Sequence, residues 1–172
     1  MPAYRRYLTK LLADHTDAPY DDEKREFVED IASALYERSD DLPPIEEWPQ
    51  SVRYFYACYD LNYQVGNGGF AQAAYNVPEL IPIALDAFRH FGHSNAVAHL
   101  ERVITLLPSE LADHDEKGFG NDETIGEVFE HFDESKLSEL DEDIPDDFWV
   151  DARLQKLVEE NRGEFASVDA MA

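Results

Sequence analysis

The sequence predicts an all-α fold, a single multi-helix domain over residues 1–172 with an N-terminal helical extension. Three observations predict it. Apolar residues recur at helical spacing along much of the chain, and no segment alternates as a half-buried strand would. A hydrophobic fraction of 44% with 12% aromatics in 172 residues is enough for one sizeable core, and too little chain for two comfortable ones.

The elements follow in order. Phe27, Val28, Ile31 and Leu35 form a first apolar stripe, with Glu26, Glu29, Asp30 and Glu37 around it. Asp40-Asp41-Leu42-Pro43-Pro44 breaks the pattern, so residues 1–44 read as a helical arm and 45–165 as the main helical core. Val52, Phe55, Tyr56, Tyr59 and Tyr63 form a second stripe. Residues 78–91 read as a further helix stopped at Gly92, and Val97, Leu100, Ile104 and Leu107 as another ended by Pro108. Val150, Leu154, Leu157 and Val158 form the last stripe, and Pro145-Asp146-Asp147 ahead of it is a helix-opening signal.

Charge is the dominant compositional feature. Thirty-eight Asp and Glu against 14 Lys and Arg give a formal net charge of −24. Such a surface repels phosphate backbones, which excludes direct nucleic-acid binding and attachment to anionic membranes, and attracts basic partners. The acids are concentrated: residues 109–151 hold 17 of them against only Lys117 and Lys136. Adaptation to high salt would also give an acidic, lysine-poor chain, but would spread its charge over every exposed helix. The one cysteine, Cys58, lies among aromatics in Tyr54-Phe55-Tyr56-Ala57-Cys58-Tyr59 and reads as a buried, inert thiol. No signal-peptide pattern opens the sequence. The uncharged run 61–78 carries too many amides and glycines for a membrane span, so a reducing cytoplasm is the expected compartment.

That uncharged run contains the most unusual pattern in the chain, Val65-Gly66-Asn67-Gly68-Gly69-Phe70-Ala71-Gln72, followed by Asn76. It reads as a helix ending in a glycine cap, a turn in which Gly68 or Gly69 takes positive φ, and a new helix start with Phe70 and Gln72 pointing inward. A buried Gln72 would have to bond loop backbone, because an unpaired amide costs about 1–3 kcal/mol. Asn67, Gly68, Gly69, Phe70, Gln72 and Asn76 are therefore assigned a structural role, with an amide-lined small-ligand pocket as the alternative.

With these residues the chain resembles the bacterial acidic DNA-mimic protein family, which carries a Val-x-Asn-Gly-Gly-Phe-x-Gln stretch after an aromatic helix. The resemblance runs from about residue 48 to residue 165. It includes the motif, Asn76, the helices over 78–107, Leu137-Ser138-Glu139-Leu140-Asp141, Phe148-Trp149, and 161–165. It implies an all-α, dimeric, acidic protein that occupies the DNA-binding face of a transcription regulator.

The acids can be read against that implication. Glu123, Glu127, Glu130 and Glu134 are spaced 4, 3, 4, which puts them on one helical face opposite Ile125, Val128, Phe129 and Phe132. At about 1.5 Å per residue they span roughly 16 Å. That spacing approximates a phosphate array. Glu139, Asp141, Glu142, Asp143, Asp146, Asp147 and Asp151 form a denser group. A capping box in Thr124-Ile125-Gly126-Glu127, and helix-dipole placement of Asp146 and Asp147, are the structural alternatives.

Catalytic and metal chemistry is set aside. Asp113-His114-Asp115-Glu116-Lys117-Gly118 starts like a calcium loop but puts a lysine among the ligands. His90, His93 and His99 lack an unbroken helix for ligation, since Gly92 intervenes. No nucleophile elbow, P-loop or isolated carboxylate pair is present. The reading is therefore a non-enzymatic interaction protein without cofactor or metal. Its carboxylates face a basic DNA-binding protein, and a homodimer is implied by the resemblance. The alternatives are a salt-adapted helical domain with a small-ligand or structural role, and an immunity-type inhibitor of a basic toxin.

Overall fold

A computed structural model of the chain describes residues 7–14, 22–106 and 134–171. Among the described residues there are eight α-helices and no strand, the all-α fold expected. They are α1 (Tyr7–Asp14), α2 (Asp22–Tyr36), α3 (Gln50–Asn76), α4 (Leu80–Phe91), α5 (Ser94–Ile104), α6 (Glu134–Glu142), α7 (Asp151–Glu160) and α8 (Arg162–Ser167). Short 3-10 turns fill in at Ser39–Asp41, Ile45–Glu47, Asp146–Phe148 and Val168–Ala170. The chain divides into two compact units, Met1–Tyr59 with Val150–Ala172, and Asp60–Trp149. The unit boundary at Tyr59 falls inside α3.

In the first unit the stripe Phe27, Val28, Ile31 and Leu35 is buried on α2, which packs against α7 and its Leu154, Leu157 and Val158. Helix α1 buries Leu8 and Leu12 and packs on α2 and α8. Polar ties reinforce this packing. Asp169 accepts from the Thr9 N–H at 3.1 Å, from Thr9 Oγ1 at 2.5 Å and from Arg38 Nη1 at 2.5 Å. Arg38 is buried and also donates to the Val168 carbonyl at 3.3 Å, so its guanidinium leaves water for a carboxylate and a carbonyl together. Glu164 closes the start of α3, accepting from the Ser51 N–H at 3.1 Å and Ser51 Oγ at 2.7 Å.

In the second unit α4 and α5 pack on one another across Gly92, which sits at φ +77 and ends α4 as the sequence predicts. The His93 N–H reaches back to the Phe88 carbonyl at 3.0 Å. Helix α5 also packs on α6 and on the 146–148 turn. The centre is aromatic. Phe70, Phe88 and Phe148 are fully buried, with the Phe148 ring 5.4 Å from each of the other two.

Two local expectations change. Pro145-Asp146-Asp147 opens a 3-10 turn and not the α-helix, which begins only at Asp151. Phe148 must enter the second unit's core, and Trp149 then runs extended (φ −85, ψ 112). Tyr63 leaves the apolar stripe and is 60% exposed, because the buried line of α3 passes through Leu61, Asn62 and Val65 in this stretch. The Cys58 thiol is buried, and desolvation pushes it well above the ordinary thiol range, consistent with an inert role.

Candidate functional site

The glycine motif lies inside α3 and breaks it. Gly68 (φ −162, ψ 24) and Gly69 (φ 73, ψ −174) leave the helical region, and helix resumes at Phe70. Positive φ thus falls at Gly69, one of the two positions named from sequence. The break exposes the Phe70 N–H at a new helix start, and Asp141 Oδ1 accepts it at 2.8 Å. Glycine is required sterically as well as conformationally. A Cβ on Gly69 would fall into the Asp141 carboxylate, 2.6 Å from its Cγ. The acidic segment and the glycine motif are therefore one construction.

Gly68 serves the Gln72 side chain in the same way. A Cβ there would lie 2.9 Å from Gln72 Cδ and 3.1 Å from its Cβ. Gln72 is half-buried, and its Nε2 donates to Gln64 Oε1 at 2.9 Å, a side-chain partner in place of the loop backbone expected. Asn76 Nδ2 donates to the same oxygen at 2.8 Å, and Gln64 Nε2 donates to Asp60 Oδ1 at 3.3 Å. This amide ladder spans the break and holds the two halves of α3 in register. Burial pushes the Asp60 carboxyl above the usual aspartate range, and the bond from Gln64 opposes that shift. Asn67 is exposed.

Phe70 packs between Phe148 and His99, its ring 5.4 Å from each. His99 is buried on α5, and its Nε2 has no partner among the described residues. Desolvation pushes its pKa down and Arg102 adds to this; the Leu140 carbonyl, Asp143 and Asp141 oppose it.

The acidic residues separate by role. Leu137 and Leu140 bury one side of α6, while Glu139 and Glu142 are exposed, as are Asp143 and Asp146. None of these four acids takes part in an ion pair among the described residues; Arg89, also in this unit, is held by Asp86 at 3.0 Å and Glu101 at 2.8 Å. Asp141 is half-buried and bound to the motif. Asp147 is half-buried and serves α5: its Oδ2 accepts the Asn95 N–H at 3.2 Å, and its carbonyl meets His93 Nδ1 at 2.7 Å. Asp151 is exposed in the first turn of α7, in the other unit. Glu134 begins α6, and Glu123, Glu127 and Glu130 lie outside the described residues.

Sequence reasoning missed Asp60 and Gln64, although a signal was present. Asp60, Gln64, Gly68, Gln72 and Asn76 recur every four residues, the spacing of one helix face. The Asp141–Phe70 contact joins residues 71 apart and has no local signal.

A family model described as DMP19-like protein matches residues 46–161. The chain belongs to the DMP19-like protein family. This is a DNA-mimic, non-enzymatic family. No curated protein and no solved structure matches the chain. The DMP19-like span contains all of the second unit, including the broken helix, Asp141 and the exposed acids, together with Asp151; α1, α2 and α8 lie outside it. No helix among the described residues is long and apolar enough to cross a membrane, and none of their His, Cys, Asp and Glu groups would hold a metal ion.

Proposed function

We propose that the chain is a DNA mimic whose carboxylates occupy the nucleic-acid-binding face of a basic DNA-binding protein such as a transcription regulator. The observation that carries this reading is the set Glu139, Glu142, Asp143 and Asp146. They are exposed, have no cation paired to them among the described residues, and stand on a segment fixed from beneath by Leu137, Leu140, Phe148 and the Asp141 contact to the motif. Like charges left unneutralised repel one another, by about 0.2–0.5 kcal/mol per close pair on a helix. Held on a fixed backbone, they present a field to which a Lys/Arg surface is complementary. Membership of a DNA-mimic family supports the same partner class. Glu123, Glu127, Glu130, Glu134 and Asp151 are further phosphate-mimic candidates in this reading, and the protein acts as a homodimer in the cytoplasm.

The test is capture from native lysate at low salt, followed by identification of what a salt gradient elutes and competition with duplex DNA. A nucleic-acid-binding protein that is displaced by DNA and released as salt rises supports the proposal, because both ligands would use one basic surface. A ternary complex with DNA, or binding indifferent to salt, refutes it.

A further inference from the structure

Among the described residues, two of the three large hydrophobic side chains left exposed belong to the acidic unit: Tyr63 at 60% and Trp149 at 47%. Both stand along the same stretch of α3. A Cβ placed on Gly66 would lie 3.9 Å from Trp149 Cζ3, so the indole rests against α3 at that position. Tyr63 precedes Gly66 by three residues on the same helix, the spacing that places side chains on adjacent turns. The strip is anchored at both ends: Asn62 Nδ2 donates to the Phe148 carbonyl at 3.0 Å, and Asp141 binds Phe70.

Carboxylates lie close to Trp149 along the chain. Asp146 opens the 3-10 turn and Trp149 follows it, with the Trp149 N–H on the Asp146 carbonyl at 3.3 Å. Both are exposed, and Glu142 and Asp143 follow Asp141 in the same segment. A carboxylate beside an exposed aromatic face is the pairing that a guanidinium satisfies, by lying on the ring while its edge donates to the acid. An ammonium can use the acid, but has no flat face to stack.

We propose that Tyr63 and Trp149, with Asp146 beside them, form an arginine-reading patch on the mimic surface, so that the basic partner docks through arginine rather than lysine. The inference rests on the DNA-mimic reading and adds to it a preference that charge alone cannot supply. Pure carboxylate arrays attract both cations; rings beside carboxylates discriminate.

The experiment titrates the full chain into fluorescein-labelled octa-arginine and octa-lysine, reading anisotropy at low and at raised salt. The wild-type chain should bind octa-arginine more tightly by about fivefold or more. Trp149→Ala and, independently, Tyr63→Ala should shrink that ratio toward one while octa-lysine binding and its salt dependence stay in place. Two variants are used so that a loss of folding in one, checked by circular dichroism, leaves the other decisive. Equal affinities for the two peptides, or a ratio unmoved by both variants, would overturn the arginine patch and leave the mimic reading standing. Failure of both peptides to bind would overturn the mimic reading and the patch together. Sedimentation of the same proteins supplies the last arm: a wild-type dimer that becomes monomeric in both variants would assign the rings to a second copy of the chain and overturn the proposal.

Discussion

Replacing Gly69 by alanine should be the most damaging single-methyl change in the second unit. Two costs combine. At φ 73 and ψ −174 the backbone lies where only glycine is at ease, and an L-residue held there costs about 1–3 kcal/mol. The new Cβ also occupies the place of the Asp141 carboxylate, which must withdraw from the Phe70 N–H it holds at 2.8 Å. A hydrogen bond to a charged group contributes about 1.5–3 kcal/mol, and half-exposure of Asp141 puts this one at the lower end. Together Gly69→Ala should destabilise by about 3–4 kcal/mol, a large fraction of the 5–15 kcal/mol that holds a typical domain folded. Urea denaturation followed by circular dichroism reads this directly. The steric account makes a sharper demand on the double mutant. Once Asp141→Ala has removed the carboxylate, the methyl has room, and Gly69→Ala should then cost only its backbone strain of about 1–3 kcal/mol. Strict additivity of the two changes, or a Gly69→Ala cost below about 1 kcal/mol, would refute the claim that motif and acidic segment are sterically interlocked.

Three further outcomes are expected. Exchanging Glu139, Glu142, Asp143 and Asp146 for their amides should leave the denaturation midpoint equal or raised, since repulsion falls, while weakening binding to any basic partner chiefly through slower association in stopped-flow measurements. Asp60 has a raised pKa, so its ionised form weighs against the fold as pH rises above 3.8; Asp60→Asn keeps an acceptor for Gln64 and should equal or exceed wild-type Tm at pH 7 while flattening that trend. His99 has a lowered pKa, so its contribution is present above 6.5 and is lost as pH falls through the lower folded value; denaturation at pH 7.5 and 5.5 should show a drop in stability that His99→Phe reduces.

The sequence by itself determined the helices that carry an apolar stripe, α2 to α5 and α7, and the sign of the surface. Helical spacing of Phe27, Val28, Ile31 and Leu35, or the stop at Gly92, follows from local geometry, and local geometry is written in neighbouring residues. The double glycine likewise announced a turn and a positive φ, because no other residue takes that conformation at low cost. Which acids face solvent was beyond the sequence, since Asp141, Glu142 and Asp143 are chemically alike and adjacent. Only the return of α6 to the broken helix binds the first to Phe70 and leaves the next two exposed. The same holds for the aromatics. Tyr63 fits the apolar stripe by spacing, and Trp149 follows the buried Phe148, yet both reach solvent because burial depends on what packs opposite, and periodicity carries no record of that.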